Sequence, residues 1–287
     1  MSILIALQQQ SDFTSTEQRI SSYILAHLDQ MPTILIKDLA AKTYTSHSAI
    51  IRLAQKLNYR GFRDFQRKLT AENIAQAHQA ATVDANFPFS ATDSVATISQ
   101  KMAALNIRAI QTAQQQLDTN QLAQAADLLT RSKRIFIFSQ GDSQLRARSF
   151  QNKLVKINRF AIIAEEYADE SWNAANLTAD DCALIISYAG TTKIHQQVAT
   201  YFHAHQIPMI ILTGNPQSPL ISQATQHLLT VQSEYNFAKI GTFASQAAFE
   251  YVLDSLFAVM YAHDFHHHLQ DLRQKQHLIQ DGPLTTK

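Results

Sequence analysis

Apolar residues over positions 1–75 recur at threes and fours. They run Ile20, Tyr23, Ile24 and Leu28, then Leu35, Leu39 and Ala40, then Ile50, Leu53 and Leu57, then Phe62, Phe65 and Leu69. That spacing lays one apolar stripe along each of several helices. Thr14 and Glu17 have the spacing of a capping box, and Met31-Pro32 ends the helix they open. A short second helix breaks at Thr43-Tyr44-Thr45. A third starts at Ser46 as N-cap and runs to Leu57, where Asn58 supplies a residue that tolerates the left-handed stop. The pattern lapses from about Gln76 to Ser90. It resumes with Val95, Ile98, Met102, Leu105, Ala109 and Ala113 on one helix face.

Beyond Asn120 the pattern changes to short apolar runs separated by helix-like stretches. The runs are Ile135–Phe138, Phe160–Ile163, Ala183–Ile186, Pro208–Leu212 and the weaker Leu228–Val231. Alternation of this kind predicts a doubly wound, mostly parallel sheet of about five strands. The chain therefore divides into an all-α segment over 1–75, a linker over 76–92 and an α/β domain over 93–287.

Composition adds little until it is read locally. The 287 residues carry a formal charge of +1, yet Arg52, Lys56, Arg60, Arg63, Arg67 and Lys68 crowd one stretch, opposed only by Asp64. Such a basic run in a near-neutral chain points to an anionic partner. Cys182 is the only cysteine and precedes a strand-like run, which argues for a buried thiol and against a disulfide framework. The first residues lack the basic start of a signal peptide and no apolar run reaches bilayer length, so a cytoplasmic protein without a membrane partner is expected.

Two places carry candidate chemistry. Short helices separated by a three-residue break, with basic residues after the second, fit a helix-turn-helix, although a plain helical bundle has the same pattern. On the third helix Ile50, Leu53 and Leu57 form the inner side, and His47, Ser48, Ile51, Arg52, Gln55 and Lys56 the outer one. The candidate DNA contacts are Thr45, Ser46, His47, Ser48, Arg52 and Lys56, with Arg60 and Arg63 placed for phosphates. The second place is a pair of turns, Ser139-Gln140-Gly141-Asp142-Ser143 and Ser187-Tyr188-Ala189-Gly190-Thr191-Thr192, each directly after a strand. Such hydroxyl-rich, glycine-containing turns at the carboxyl ends of parallel strands make an anion cradle and suggest a phosphorylated ligand. Glu165, Glu166, Glu234 and His195 fall in segments that can line the same cleft, but no convergent pair assigns catalysis. His263, His266 and His267 have helical spacing without a supporting ligand cluster, so neither metal nor cofactor is expected.

The run from Leu39 through Ser46, Ile50 and Arg52 to Leu57, Tyr59, Gly61 and Phe62 resembles the N-terminal domain of RpiR-type bacterial transcriptional regulators. Ala49 stands where that family usually has Thr, and Asn58 where it has Gly. The resemblance implies a C-terminal sugar-isomerase (SIS) domain and extends over nearly the whole chain. It implies that Ser143, Ser187 and Thr192 donate hydroxyl hydrogen bonds to a sugar phosphate, with Gly141 and Gly190 letting the backbone approach and free N–H groups of the turns completing a ligand site that includes Thr191. It aligns Thr213–Leu220 with the loop after the family's fourth strand. Ser139 replaces the first glycine of the first turn, Ala189 replaces a hydroxyl donor, and Asp142 puts a carboxylate beside the expected phosphate. The implied protein is a regulator rather than an enzyme, binding operator DNA as a homodimer or dimer of dimers. An isomerase with a helical association domain, or a regulator with a vestigial SIS domain, are the alternatives.

Overall fold

In the computed structural model, which describes residues 3–166 and 169–285, the Thr14 hydroxyl accepts the Glu17 N–H. The Glu17 carboxylate accepts the Thr14 N–H in return at 2.8 Å. This capping box opens α2 (Ser15–Ala26), the first long helix of a unit spanning Met1–Thr82. Before it lies α1 (Ile3–Gln9), a helix the apolar spacing does not reveal. Its first N–H groups, at Ile3 and Leu4, are taken by the Glu72 carboxylate at 2.9 and 3.3 Å. Helices α3 (Ile36–Lys42), α4 (His47–Lys56) and α5 (Phe62–Thr82) follow. Leu7, Ile20, Ile24, Leu39, Ile50, Leu53, Phe65 and Leu69 close one apolar core among them. Asn58 takes a φ of 67°, the left-handed turn between α4 and α5.

Residues 76–82, expected in a linker, continue α5 as helix. From Val83 the chain belongs to a second compact unit, Val83–Lys287. Here α6 (Val95–Gln116) and α7 (Thr119–Arg131) lead into β1 (Ile135–Ser139), α8 (Asp142–Leu154), β2 (Ala161–Ile163), α9 (Glu170–Ala175) and β3 (Cys182–Ile186). Then come α10 (Lys193–Ala204), β4 (Met209–Thr213), β5 (Gln226–Leu229) and α11 (Ala244–His263). The strands pair in the order β2-β1-β3-β4-β5, all parallel. Successive residues of a strand face opposite sides. Ile135, Ile137, Leu184 and Ile186 meet α7, α8 and α11, whereas Phe136, Phe138, Ala183 and Ile185 meet α9 and α10. The sheet is thus covered on both faces, as a parallel sheet requires. The chain steps outward from β1 to β2 and then back across to β3, so a crevice opens between the carboxyl ends of β1 and β3.

After α11 the chain turns at Asp264 and forms α12 (Phe265–Gln280), which buries none of its residues. That break separates His263 from His266 and His267, whose sequence spacing suggested one continuous helix. Among the described residues no group of His, Cys, Asp and Glu is arranged to hold a metal, and no helix is long and apolar enough to cross a membrane. Cys182 is buried, which pushes its thiol up to about 12.

Asp181 anchors the entry to β3. Burial alone would raise its carboxyl; the Arg134 guanidinium fork (2.9 and 2.7 Å) and the Thr178 N–H and hydroxyl outweigh burial and hold it at about 2. A carboxyl depressed in the folded state contributes stability that is complete above its ordinary value of 3.8 and lost as pH falls towards about 2. Asp181→Asn is therefore expected to lower Tm at pH 7 and to flatten the fall of Tm between about pH 4 and 2. Thermal unfolding of both proteins across that range checks it; parallel acid limbs would refute it.

Candidate functional site

In the first unit, α3, the turn at 43–46 and α4 form the helix-turn-helix. The Thr43 hydroxyl donates to the Leu39 carbonyl at 2.7 Å, and the Ser46 hydroxyl caps α4 by accepting the Ala49 N–H at 3.2 Å. Tyr44, between them, has a φ of 51° and is 87% exposed. Helix α4 buries Ala49, Ile50, Leu53 and Ala54, which leaves His47, Ser48, Ile51, Arg52 and Gln55 exposed along its outer side.

The sequence-predicted DNA contacts fall into two groups. His47, Ser48, Arg52 and Arg63 are exposed, and among the described residues neither Arg52 nor Arg63 forms an ion pair. The others already have partners. Ser46 caps the helix and Thr45 shares a 2.8 Å hydrogen bond with Thr43; of Arg60 only the backbone N–H is engaged, by Asp64, and its exposed guanidinium forms no ion pair among the described residues. Lys56 pairs with Glu17 at 2.9 Å, tying α4 to the capping box of α2. Tyr44 is the exposed residue that the sequence reading passed over. Its only signal there was its place inside the helix break.

In the second unit the cleft is built from the two turns expected to meet. Gly141, at φ 57° and ψ −135°, turns the chain from β1 into α8, a backbone shape open in practice to glycine alone. Neither α8 nor α10 has a side-chain cap; the Gln144 N–H is taken by the Gly141 carbonyl, but among the described residues the N–H groups of Asp142 and Ser143, and of Lys193 and Ile194, have no protein acceptor and are open to a ligand. The β3 turn is held from one side by the loop after β4. The Thr213 hydroxyl donates to the Tyr188 carbonyl (3.1 Å), the Asn215 amide to the Ala189 carbonyl (2.9 Å) and the Ser218 hydroxyl to the Gly190 carbonyl (3.0 Å). Every peptide here is trans, so each N–H points opposite the carbonyl preceding it. The N–H groups of Ala189, Gly190 and Thr191 therefore face away from the β4 loop, towards the β1 side of the crevice. Among the described residues no protein group accepts from them. The hydroxyls of Ser143, Ser187 and Thr192 likewise have no protein partner, although Ser143 and Ser187 are buried. Donors without acceptors gathered at one crevice suit a multiply charged anion.

The departures from the family pattern have local explanations. Ser139 is a buried strand residue paired with Ile186, so its position asks for no glycine; positive φ is confined to Gly141 and Gly190 among the glycines. Ala189 contributes its backbone. Asp142 accepts a hydrogen bond from the Thr242 hydroxyl, which engages one of its oxygens.

Of the carboxylates named from sequence, Glu165 and Glu166 are exposed and occupied by Gln144 and Gln151. Glu234 is buried and structural: it accepts from the Ser245 N–H and hydroxyl and stands 3.4 Å from Lys239. His195 is buried, and its Nε2 lies 3.4 Å from an oxygen of Glu170, which the Gln140 amide also approaches at 3.5 Å. Glu170 escaped the sequence reading because α9 is too short to show a period. Its other oxygen, the His195 Nδ1 and the Ser139 hydroxyl are buried without partners.

Residues 1–76 match the family model described as a helix-turn-helix domain of the rpiR family, and residues 128–263 match the SIS domain. An HTH-type transcriptional regulator of Caldanaerobacter subterraneus subsp. tengcongensis is 29% identical over 262 residues, covering 90% of this chain and 89% of its own length. The HTH-type regulator YbbH of Bacillus subtilis is 25% identical over 253 residues, with 87% of each chain covered. Among solved structures, Vibrio vulnificus NanR complexed with ManNAc-6P matches with a TM-score of 0.60 at 22% identity, over 99% of both chains. The sugar isomerase domain of an RpiR transcription factor from Sphaerobacter thermophilus matches with a TM-score of 0.55 at 17% identity, over 62% of this chain and 97% of that one. With an rpiR-type helix-turn-helix joined to a SIS domain, the chain belongs to the RpiR-type transcriptional regulators.

Proposed function

We propose that the protein is a cytoplasmic, sugar-phosphate-responsive regulator whose SIS unit binds the phosphate between the β1 and β3 turns. The observation that carries this reading is the fixing of three successive carbonyls, at Tyr188, Ala189 and Gly190, by the β4 loop. It turns the N–H groups of the β3 turn towards the open helix start at Gly141, where the Ser143, Ser187 and Thr192 hydroxyls complete the donor set. The NanR structure, complexed with ManNAc-6P, supports the ligand class. His47, Ser48, Arg52 and Tyr44 form the surface offered to the major groove, with Arg63 on phosphates. A homodimer or dimer of dimers would place two such helices on a two-fold operator.

The test is operator binding by the full chain, with duplexes selected from a random pool, in the presence of a panel of hexose and hexosamine phosphates and the parent sugars. One phosphorylated sugar is expected to change operator affinity by roughly 5–150-fold, the usual range of a coupling free energy. No change with any member refutes sensing. Arg52→Ala is expected to cost about 1–3 kcal/mol of operator affinity, or roughly 5–150-fold, with Tm unchanged within about 2 °C. Unaltered affinity for the selected duplex would remove Arg52 from the interface.

A second reading, an aldose–ketose isomerase, is favoured by one observation, the buried Glu170–His195 pair beside Gln140. Such a pair can hold and move a proton. Appearance of the isomeric sugar phosphate in the same incubations would establish turnover.

A further inference from the structure

Asn86 follows directly on the segment that leaves α5, yet it is buried and makes contacts far along the chain. Its side-chain oxygen accepts the Tyr235 N–H at 2.5 Å, its side-chain amide approaches the Ser233 carbonyl at 3.4 Å, and its backbone carbonyl accepts the Ile240 N–H at 2.9 Å. Asp84 fixes the side chain from the other direction. One of its oxygens accepts both the Asn86 backbone N–H (2.8 Å) and the side-chain amide (3.0 Å). Val83 and Ala85 pack on either side of Asp84 against Val231 and Ala244. A stretch whose composition reads as linker therefore grips the loop between β5 and α11 at several points.

That loop touches both turns of the cleft. The Tyr188 hydroxyl accepts the Glu234 N–H at 2.7 Å and donates to the Glu234 carbonyl at 3.2 Å, while Thr242 donates to Asp142. Tyr188 belongs to the β3 turn and Asp142 to the β1 turn. Glu234 and Thr242 flank the stretch, Tyr235 to Ile240, that Asn86 holds.

We propose that Asn86 is the positioning residue through which occupancy of the cleft reaches the DNA-reading unit: it ties the loop at 233–242 to the chain entering from α5. The proposal rests on the sensing reading of the cleft. An anion that draws the two turns together acts on Tyr188 and Asp142, hence on the loop at Glu234 and Thr242, hence on Asn86 and the covalent path into α5. The physical requirement is that the loop and residues 83–86 move as one body, and the hydrogen bonds of Asn86 supply it.

Two measurements on full-length wild type, Asn86→Ala and Asp84→Ala test it. Asp84 is exposed, so its substitution loosens Asn86 without opening the core. In hydrogen exchange of the unliganded protein, peptides covering 233–242 are expected to exchange at least about tenfold faster in Asn86→Ala, and by a smaller factor in Asp84→Ala. The peptide containing Tyr188 should follow them. Unchanged exchange in both variants overturns the clamp whatever the cleft binds. In operator binding with and without the active sugar phosphate, Asn86→Ala is expected to keep its ligand-free operator affinity within about threefold, while the wild-type ligand response falls to less than about twofold. A full response in Asn86→Ala overturns the coupling and leaves sensing intact. A wild type that responds to no sugar phosphate overturns the sensing reading and the coupling with it, with the exchange result still deciding the clamp.

Discussion

Gly190→Ala is expected to unfold at a markedly lower temperature and to lose the ligand altogether. A Cβ at this position would lie 2.0 Å from the Ser218 hydroxyl oxygen and 2.6 Å from the Ser218 Cβ, distances no side chain tolerates. The backbone there has a φ of 64°, which disfavours any residue with a Cβ. Ser218 cannot swing aside freely. Its hydroxyl donates to the Gly190 carbonyl and accepts the Leu220 N–H, and Leu220 is fully buried. Overpacking and backbone strain together amount to about 3 kcal/mol. For a domain of this size that lowers Tm by about 6–12 °C. The β3 turn would have to leave the β4 loop, and with it the orientation of the N–H groups of Ala189, Gly190 and Thr191. Thermal unfolding and sugar-phosphate binding of the variant check both consequences. A Tm within about 2 °C of wild type would mean that the β4 loop does not brace this turn.

That brace shows what the sequence discloses and what it withholds. The short apolar runs alone place each of the five strands within a few residues, because a parallel strand covered on both faces is a continuous apolar stretch with no polar alternation. The order β2-β1-β3-β4-β5 is not contained in any run; it follows from which face each connecting helix covers. Helix α9, at 6 residues, is under two turns long and too short for a 3.6-residue period to declare itself, so Glu170 at its start is invisible in the sequence as a partner for His195. The linker expected over 76–92 rests on composition alone. Alanine and glutamine suit helix continuation equally well, and Asn86 is buried only because a loop far along the chain arrives to meet it.

The site itself was legible as a set of residues but not as a geometry. The turns after β1 and β3 were found from glycine and hydroxyl content beside apolar runs, and they do flank one crevice. Ser139 looked like a lost glycine, yet the structure makes that position an ordinary strand residue. In the sequence Thr213, Asn215 and Ser218 stand out only as part of the loop that the resemblance aligns after the fourth strand. Their work is to occupy the carbonyls of the neighbouring turn, a role that no local pattern encodes. On the DNA-reading side, Lys56 counted as a basic residue in the sequence but is spent on Glu17, whereas Arg52 is free among the described residues.

Ser143→Ala combined with Ser187→Ala is expected to abolish the sugar-phosphate response while leaving the fold and operator binding intact. Each hydroxyl donated to a charged oxygen contributes about 1.5–3 kcal/mol, so the pair accounts for roughly 10²–10⁴-fold in affinity. Folding should hardly notice, because neither hydroxyl has a protein partner to lose. Neither oxygen is among the described side-chain atoms buried without a partner, so water reaches both hydroxyls and Tm is expected to hold within about 2 °C. The operator-reading residues lie in the other unit and are untouched. Three readouts on one variant therefore separate the roles: Tm, affinity for the selected duplex, and the change in that affinity with sugar phosphate. Retained response in the double variant would show that backbone N–H groups alone bind the anion, and the cradle would then belong to Gly141 and Gly190. A fall in Tm comparable to that of Gly190→Ala would show instead that the two serines hold the turns together, leaving the donor set of the cleft to be redrawn.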